Sequence, residues 1–217
     1  LADHGGALAQ VEGVAGIHLE YIRFPDVILP AALQPRYDLD QDREFPEFDY
    51  GYHEACRTRF EQQTGTDPVD LDDPPTNEAW VRFRYDQITQ VVTRLKEEAH
   101  SRDAMISAAV FPTPAIARRL VRQDWTAWPL DAVMPMIYHN FYGKEISWIE
   151  TATRNGVMAL DSGTPLYSGL FVPELSPEDL ATAARHAQAG GRHGVSLFNV
   201  SSMTDAHWNA VSSVLAA

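Results

Sequence analysis

Val14-Ala-Gly-Ile-His-Leu-Glu-Tyr-Ile-Arg-Phe-Pro25 is the stretch of sequence that decides the fold. Apolar and polar residues alternate along it with the period of a β-strand, so we expect His18 and Glu20 to share one face and Arg23 to lie on the other. Pro25 ends the run, because proline cannot donate a hydrogen bond to a sheet. A strand buried on both faces is nearly all Val, Ile and Leu. The polar residues therefore indicate a strand that ends at a binding or catalytic site.

The composition is that of an ordinary globular chain of 217 residues, with 45% hydrophobic and 22% charged residues. The length favours a single domain over residues 1–217. A net charge of −13 argues against nucleic acid or an anionic membrane surface as the main partner. One cysteine, Cys56, excludes an internal disulfide and a zinc cluster of several cysteines. No run of residues approaches the roughly 18 apolar positions needed to span a membrane.

Residues 24–79 differ from the rest of the chain, because prolines and acidic residues are concentrated there. We expect a long loop excursion between the first strand and the helix that follows it. Residues 50–64 have apolar side chains at helical spacing and predict a short helix inside the excursion. The many aromatic residues favour an ordered segment over a disordered one, and an ordered loop of this length usually serves a function.

Strands and helices alternate along the remainder of the chain. Helical periodicity predicts helices over 76–101, 115–122, 144–156, 176–190 and 207–216, and a helix end within 1–13. Buried strands are predicted over 105–111, 132–138, 166–172 and 194–200. Five strands that are each followed by a helix imply an α/β fold with a parallel sheet and right-handed crossovers.

Polar and aromatic residues recur where the predicted strands end. Functional sites in parallel α/β folds lie at the carboxyl ends of the strands. At these ends the sequence places His18, Glu20, Tyr21, Arg23, Phe111, Tyr138, His139, Asn140, Tyr142, Phe171, Glu174, Asn199, Ser201 and Ser202. We therefore expect a site at this edge of the sheet.

Several of these segments, in this order, resemble the family 10-like glycosyl hydrolases, whose fold is a (β/α)8 TIM barrel. The resemblance covers most of the chain. Its landmarks are Gly16-Ile-His-Leu-Glu-Tyr-Ile-Arg-Phe-Pro25, Phe48-Asp-Tyr-Gly-Tyr52, Trp80, Phe83-Arg84, Ser107-Ala-Ala-Val-Phe-Pro112, Gln123-Asp-Trp125 and Val133-Met-Pro-Met-Ile-Tyr138. The family usually has Asp where this chain has Glu20. Met136-Ile-Tyr138 is also similar to a strand end of family 18 chitinases, but Ile22 stands about where their catalytic Glu would be.

The resemblance implies that the first strand corresponds to the fourth of a barrel. The chain would then carry strands four to eight as the C-terminal part of a (β/α)8 barrel, since a full barrel takes about 250 residues and the excursion uses many of these. The first three strands, in a missing N-terminal half, would be the partner. Five strands alone leave two exposed edges, which proteins normally cover.

The resemblance implies a glycosidase acting on O-glycosidic bonds of an oligo- or polysaccharide, with Glu20 as general acid/base. The alternative is that Glu20 pairs with Arg23 or His18 as part of the scaffold. His18 would orient the carboxylate. Arg23 would bind a substrate hydroxyl or carboxylate, or pair with an acidic residue of the excursion.

The ends of later strands supply further candidate residues. Tyr138, His139 and Asn140 are expected to contact sugar, because aromatic faces stack on sugar rings and amides bind hydroxyl groups. The alternative is a rim held by its own hydrogen bonds.

Glycosidases normally use two carboxyl groups. Glu174 is the predicted second catalytic residue, and Pro173-Glu174-Leu175-Ser176 is equally typical of a segment that leads into a helix. The other candidates are Asp26, Asp49 and Asp161.

Two other interpretations stay open at this point. His18, Glu20 and His139 could converge on a metal ion, but their spacing has no metal-site signature, and we predict neither a metal nor a cofactor. The second function class is a non-catalytic carbohydrate-binding protein on the same scaffold. The family resemblance suggests a secreted or periplasmic protein.

Overall fold

The computed structural model describes residues 2–160 and 163–216 and shows an α/β fold with parallel strands. The strands are β1 (Gly16–Leu19), β2 (Met105–Val110), β3 (Ala132–Pro135), β4 (Tyr167–Phe171) and β5 (Gly194–Phe198). The helices are α1 (Ala2–Ala9), α2 (Glu54–Thr64), α3 (Glu78–His100), α4 (Pro114–Val121), α5 (Trp148–Ala159), α6 (Pro177–Ala189) and α7 (Asp205–Leu215).

The order of the strands in the sheets follows their order along the sequence. β1, β2 and β3 form one parallel sheet, and β4 and β5 form another. Two parallel bridges, Val133 with Leu166 and Met136 with Gly169, place β4 next to β3. The predicted parallel α/β arrangement is thus confirmed. Within the described ranges the five strands do not close into a full barrel.

The helices cover one face of the strands. Ile106, Ala108, Val110 and Val133 are buried on this face in a core shared with α3 and α4. A second core joins β4 and β5 to α5, α6 and α7. These cores form because residues at alternate strand positions and at helical spacing are apolar, so each element has one apolar side to bury.

The opposite side of the strands, which we call the open face, is only partly covered. His18, Ser107, Met134 and Ser196 lie on it and retain solvent exposure. β1 and β5 are the outer strands, and each has a neighbouring strand on one side only in the described part of the chain.

The first strand is shorter than predicted. It ends at Leu19, because Tyr21 adopts a left-handed backbone conformation with φ 55° and turns the chain. The backbone then leaves β2 and joins the end of α4, where the Phe24 N–H donates to the Val121 carbonyl and the Val27 N–H to the Leu120 carbonyl. The alternation that predicted a strand through Arg23 reflects packing in this loop instead.

Two other strands also end earlier than predicted. β3 ends at Pro135, three residues before the predicted end, and a 3-10 helix, His139–Tyr142, follows it closely. β5 ends at Phe198, before Asn199 caps another 3-10 turn. In both places the residues after the strand are aromatic and polar. Their local pattern is also typical of a strand, so the predicted strand was too long.

The segment predicted as an excursion, residues 24–79, includes the first residues of α3, which begins at Glu78. The segment also contains α2 and four 3-10 turns, Gln34–Tyr37, Pro46–Phe48, Pro68–Asp70 and Pro74–Thr76. A buried ion cluster ties it to the helices: Asp49 pairs with Arg84 of α3 and, at 3.3 Å, with Arg122 after α4. The Tyr52 hydroxyl also donates to Asp49, at 2.5 Å.

Candidate active site

A cavity of about 330 Å³ lies at the carboxyl ends of β1, β2 and β3. The loop after β1, the ends of β2 and β3 and the start of the excursion form its walls. Its lining residues are Glu20, Tyr21, Arg23, Asp26, Leu29, Pro30, Leu33, Tyr37, Ala109, Phe111, Gln123, Met136, Tyr138, Phe141 and Tyr142. The cavity therefore combines two carboxyl groups, one guanidinium group and several aromatic rings.

Buried glutamines hold the loop that carries the charged groups. The Gln123 side chain donates to the Ile22 carbonyl at 3.3 Å and accepts from the Phe111 N–H at 2.8 Å. Gln41 binds the Val27 carbonyl at 3.2 Å in the same way. With the two backbone bonds to α4, these contacts fix the course of the loop before any ligand arrives.

Glu20 lies just beyond the end of β1. Its side chain is 60% exposed, and its Oε1 lies 3.6 Å from Nε2 of His18. The other ring nitrogen of His18, Nδ1, is 2.9 Å from Oγ of Ser107 on β2. His18 is thus held between the sheet and the Glu20 carboxylate, which suits its expected orienting role.

Arg23 lies against the aromatic wall of the cavity. Its guanidinium carbon is 4.7 Å from the centre of the Tyr21 ring and 5.2 Å from that of Phe111. Nη1 donates to Oδ2 of Asp26 at 3.0 Å and to the Phe24 carbonyl at 2.9 Å. Asp26 belongs to the excursion. The predicted alternative for Arg23, pairing with an acidic residue of the excursion, is therefore present, and the pair lies inside the cavity.

Two tyrosine hydroxyls complete the polar lining. Burial, with a further contribution from the negative charge of Glu20, raises the pKa of Tyr138 to about 12. Burial and the charge of Asp26 raise the pKa of Tyr142 well above its ordinary value. Both hydroxyls are protonated at neutral pH, as tyrosine hydroxyls ordinarily are, and can donate hydrogen bonds.

The remaining predicted site residues form a separate group. The side-chain amide of Asn140 donates to the Glu174 carboxylate, which lies in a 3-10 turn after β4. Burial lowers the pKa of His139, against the opposing charges of Glu145, Asp179 and Glu174. His139, Asn140 and Glu174 are not among the residues that line the cavity.

The other acidic candidates differ sharply in their surroundings. Asp49 is buried in the ion cluster with Arg84 and Arg122, so its carboxylate is already paired. Asp161 lies outside the described residues. Of the two that are described, Asp26 lines the cavity with Glu20 and Asp49 does not.

Two residues at this edge of the sheet did not stand out in the sequence patterns. The first is Asp26, whose position depends on contacts between the loop and α4. The second is Phe198, which ends β5. The pattern that could have identified it is visible in the sequence, because β2, β3, β4 and β5 are each followed by or end in an aromatic residue, namely Phe111, Tyr138, Phe171 and Phe198.

The described residues contain no group of three or more His, Cys, Asp or Glu side chains arranged to hold a metal ion. His18, Glu20 and His139 accordingly do not form such a group. None of the helices in the described ranges combines the length and the apolar character that crossing a bilayer requires.

The comparisons with known proteins give a likeness in fold but none in sequence family. No protein-family model and no curated protein matches the sequence. The fold is similar to that of the PgaB (BpsB) glycoside hydrolase domain from Bordetella bronchiseptica, with a TM-score of 0.57 and 14% sequence identity. The match covers 72% of this chain and 50% of that domain's chain. This chain therefore shares a fold with a glycoside hydrolase domain, and it spans about half the length of the structure it matches.

Proposed function

We propose that the protein is a glycoside hydrolase of the family 10-like group, acting on O-glycosidic bonds of an oligo- or polysaccharide. The observation that carries this proposal is the presence of two carboxyl groups, Glu20 and Asp26, in one aromatic-lined cavity at the carboxyl ends of parallel strands. Glycosidic cleavage requires such a pair. The shared fold with a glycoside hydrolase domain supports the same reading.

Glu20 is the general acid/base in this proposal, and Asp26 is the second carboxyl group. A group that protonates the leaving oxygen must reach the scissile bond from a strand end, which the position of Glu20 allows. Asp26 accepts a hydrogen bond from Arg23, which holds its carboxylate in place inside the cavity. Glu174 remains the alternative partner, and its bond to Asn140 makes it the weaker choice.

Substrate binding in this proposal uses the cavity walls. The protonated hydroxyls of Tyr138 and Tyr142 donate to sugar oxygens, and the neighbouring rings contact the apolar face of the sugar. Arg23 serves through the edge of its guanidinium that does not bind Asp26. His139 and Asn140 contact parts of the ligand that extend beyond the cavity.

A non-catalytic carbohydrate-binding protein is the second candidate function, and one observation favours it. The Glu20 side chain is 60% exposed, whereas general acids of glycosidases usually lie in apolar surroundings. A sugar could bind the same walls and not be cleaved.

The test is to measure reducing ends released from a panel of soluble polysaccharides by the wild-type protein and by three variants. We expect Glu20→Gln and Asp26→Asn each to lower turnover by about a hundredfold or more, because each removes one group of the catalytic pair. Glu97→Gln, at an exposed position near the far end of α3, should leave turnover unchanged.

Sugar binding by the same variants, measured by affinity electrophoresis, separates the two candidate functions. Loss of turnover with retained binding in Glu20→Gln supports the hydrolase. Wild-type binding without any release of reducing ends would identify the non-catalytic alternative. Loss of turnover in Glu174→Gln but not in Asp26→Asn would reassign the second carboxyl group.

We also propose that further βα units complete a barrel around this site. β1 and β5 have unpaired outer edges within the described ranges, and the open face of the strands retains solvent exposure. Parallel sheets of α/β proteins are normally covered on both faces, and their exposed edges are normally protected. The missing half of a (β/α)8 barrel would satisfy both requirements.

A further inference from the structure

Four aromatic rings form a continuous cluster at the carboxyl ends of β3, β4 and β5. We call Tyr138, Phe141, Phe171 and Phe198 the aromatic platform. The ring of Tyr138 lies 5.5 Å from Phe141, 5.3 Å from Phe171 and 6.2 Å from Phe198, measured between ring centres. Phe141 and Phe171 are 5.0 Å apart. Every ring thus touches at least one other, as in a packed core.

The platform is nevertheless open to solvent at one end. Phe171 and Phe198 are register partners on neighbouring strands, and their rings stack at 6.1 Å with only 14° between the ring planes. Phe198 is 50% exposed. Stacking on Phe171 holds the Phe198 ring in place and leaves its other side as exposed apolar surface, and exposed apolar surface beside a cavity is typical of ligand contacts.

The platform is continuous with the cavity. Tyr138 and Phe141 belong to both, so a ligand that leaves the cavity along Tyr138 next meets Phe171 and Phe198. Hydrogen-bonding groups adjoin the platform along the chain: Asn140 precedes Phe141, and its bonded partner Glu174 follows Phe171 by three residues.

We propose that the aromatic platform is a second sugar subsite, so that the ligand spans at least two sugar units. The inference rests on the proposed function, because it takes the cavity as the site of the first unit. The apolar face of a pyranose ring would lie on the exposed side of Phe198, which Phe171 supports from its other side, while Asn140 and Glu174 bind its hydroxyls. A sugar binds through both an aromatic face and nearby polar groups. A purely hydrophobic partner would make no hydrogen bonds with the amide and the carboxylate.

Chain-length dependence of binding tests the proposal. The probes are glucose, N-acetylglucosamine and mannose with their β-linked oligomers up to the tetrasaccharide, titrated calorimetrically into Glu20→Gln protein so that no probe is cleaved. We expect the affinity to rise from monosaccharide to disaccharide in the series that binds. Phe198→Ala should weaken oligosaccharide binding about tenfold and leave monosaccharide binding within about twofold.

Two further variants make the result specific. Phe198→Tyr keeps the ring and should keep the gain with chain length. Tyr50→Ala removes a side chain that is exposed to nearly the same extent, 49%, but is not part of the cavity lining, and should change no affinity. A thermal unfolding curve for each variant confirms that the fold is intact.

The remaining outcomes test the second subsite and the proposed hydrolase function separately. Equal affinities at every length for Glu20→Gln protein with and without Phe198→Ala overturn the second subsite, and turnover that depends on Glu20 would still support the hydrolase. A ring-dependent gain with chain length, in a protein that cleaves nothing, keeps the subsite and overturns catalysis. Binding of no oligomer at any length overturns both, and a Phe198 that is instead protected by a second copy in solution overturns the subsite.

Discussion

Arg23 shows how one side chain can join the charged and the aromatic parts of a site. Its guanidinium packs between Tyr21 and Phe111 and binds Asp26 through Nη1, and its side chain is only 11% exposed. Glu20, Arg23 and Tyr138 could be predicted as site residues from the sequence. Strand positions follow from the pattern of neighbouring residues, and sites in parallel α/β folds lie at the carboxyl ends of strands. Asp26 could not be ranked in this way, since its place depends on backbone bonds to α4.

Tyr138 provides a direct measure of the charge on Glu20. Because a nearby carboxylate disfavours the phenolate, Glu20→Gln should lower the pKa of Tyr138 from about 12, while burial keeps it above the ordinary value of 10.0. An NMR titration of ¹³C-labelled tyrosine rings reports the change. Tyr52, whose pKa is raised by its own burial and by Asp49, is the internal control and should not move. An unchanged Tyr138 would place Glu20 away from the cavity.

The excursion is the element that distinguishes this chain from a plain alternation of strands and helices. The way it is held was not predictable from its composition. Burial lowers the pKa of the Arg84 guanidinium, and the charge of Asp49 acts in the opposite direction. Such a cluster forms between residues far apart in the chain, so no local pattern reports it. Helix positions were easier to predict, because their periodicity lies within one segment.

Asp49→Asn should destabilise the fold by about 3–5 kcal/mol, because it leaves two buried guanidinium groups without a counter-charge. Urea unfolding measures the change. Hydrogen exchange should also show faster exchange over residues 24–79 than in the wild type, since the anchor of the excursion is lost. The matched control is Glu98→Gln, which breaks a partly exposed pair with Arg102 and should cost about 0.5 kcal/mol or less. Equal effects of the two variants would contradict the anchoring role.

Considered as a whole, the molecule has one well-covered face and one open face. The α/β class and the parallel strands were predictable, because five strands alternate with helices along the sequence. Whether five strands close, or await others, is not encoded in any local pattern. It depends on whether the outer edges of β1 and β5 find partners, and in the described residues they have none.

Hydrogen exchange followed by mass spectrometry should therefore reveal a gradient across the strands. Peptides from β2 and β3, which are paired on both sides, should exchange more slowly than peptides from β1 and β5. Adding the units that we propose to complete the barrel should remove the difference. Equal protection of all five strands in this chain alone would mean that its edges are already covered, and a dilution series would show whether a second copy covers them.

The loop after β1 is held by contacts with the end of α4 and with Gln123. Phe24 and Val27 bind the last turn of α4 through their backbone, and Gln123 binds the Ile22 carbonyl. The side chains of Glu20 and Asp26 take no part in these bonds. A library that varies Glu20 would therefore leave these contacts in place, whereas a change at Asp26 also removes the partner of Arg23. Glu20 is thus the position of this strand end at which the chemistry of the cavity can be redesigned with the least disturbance of the loop.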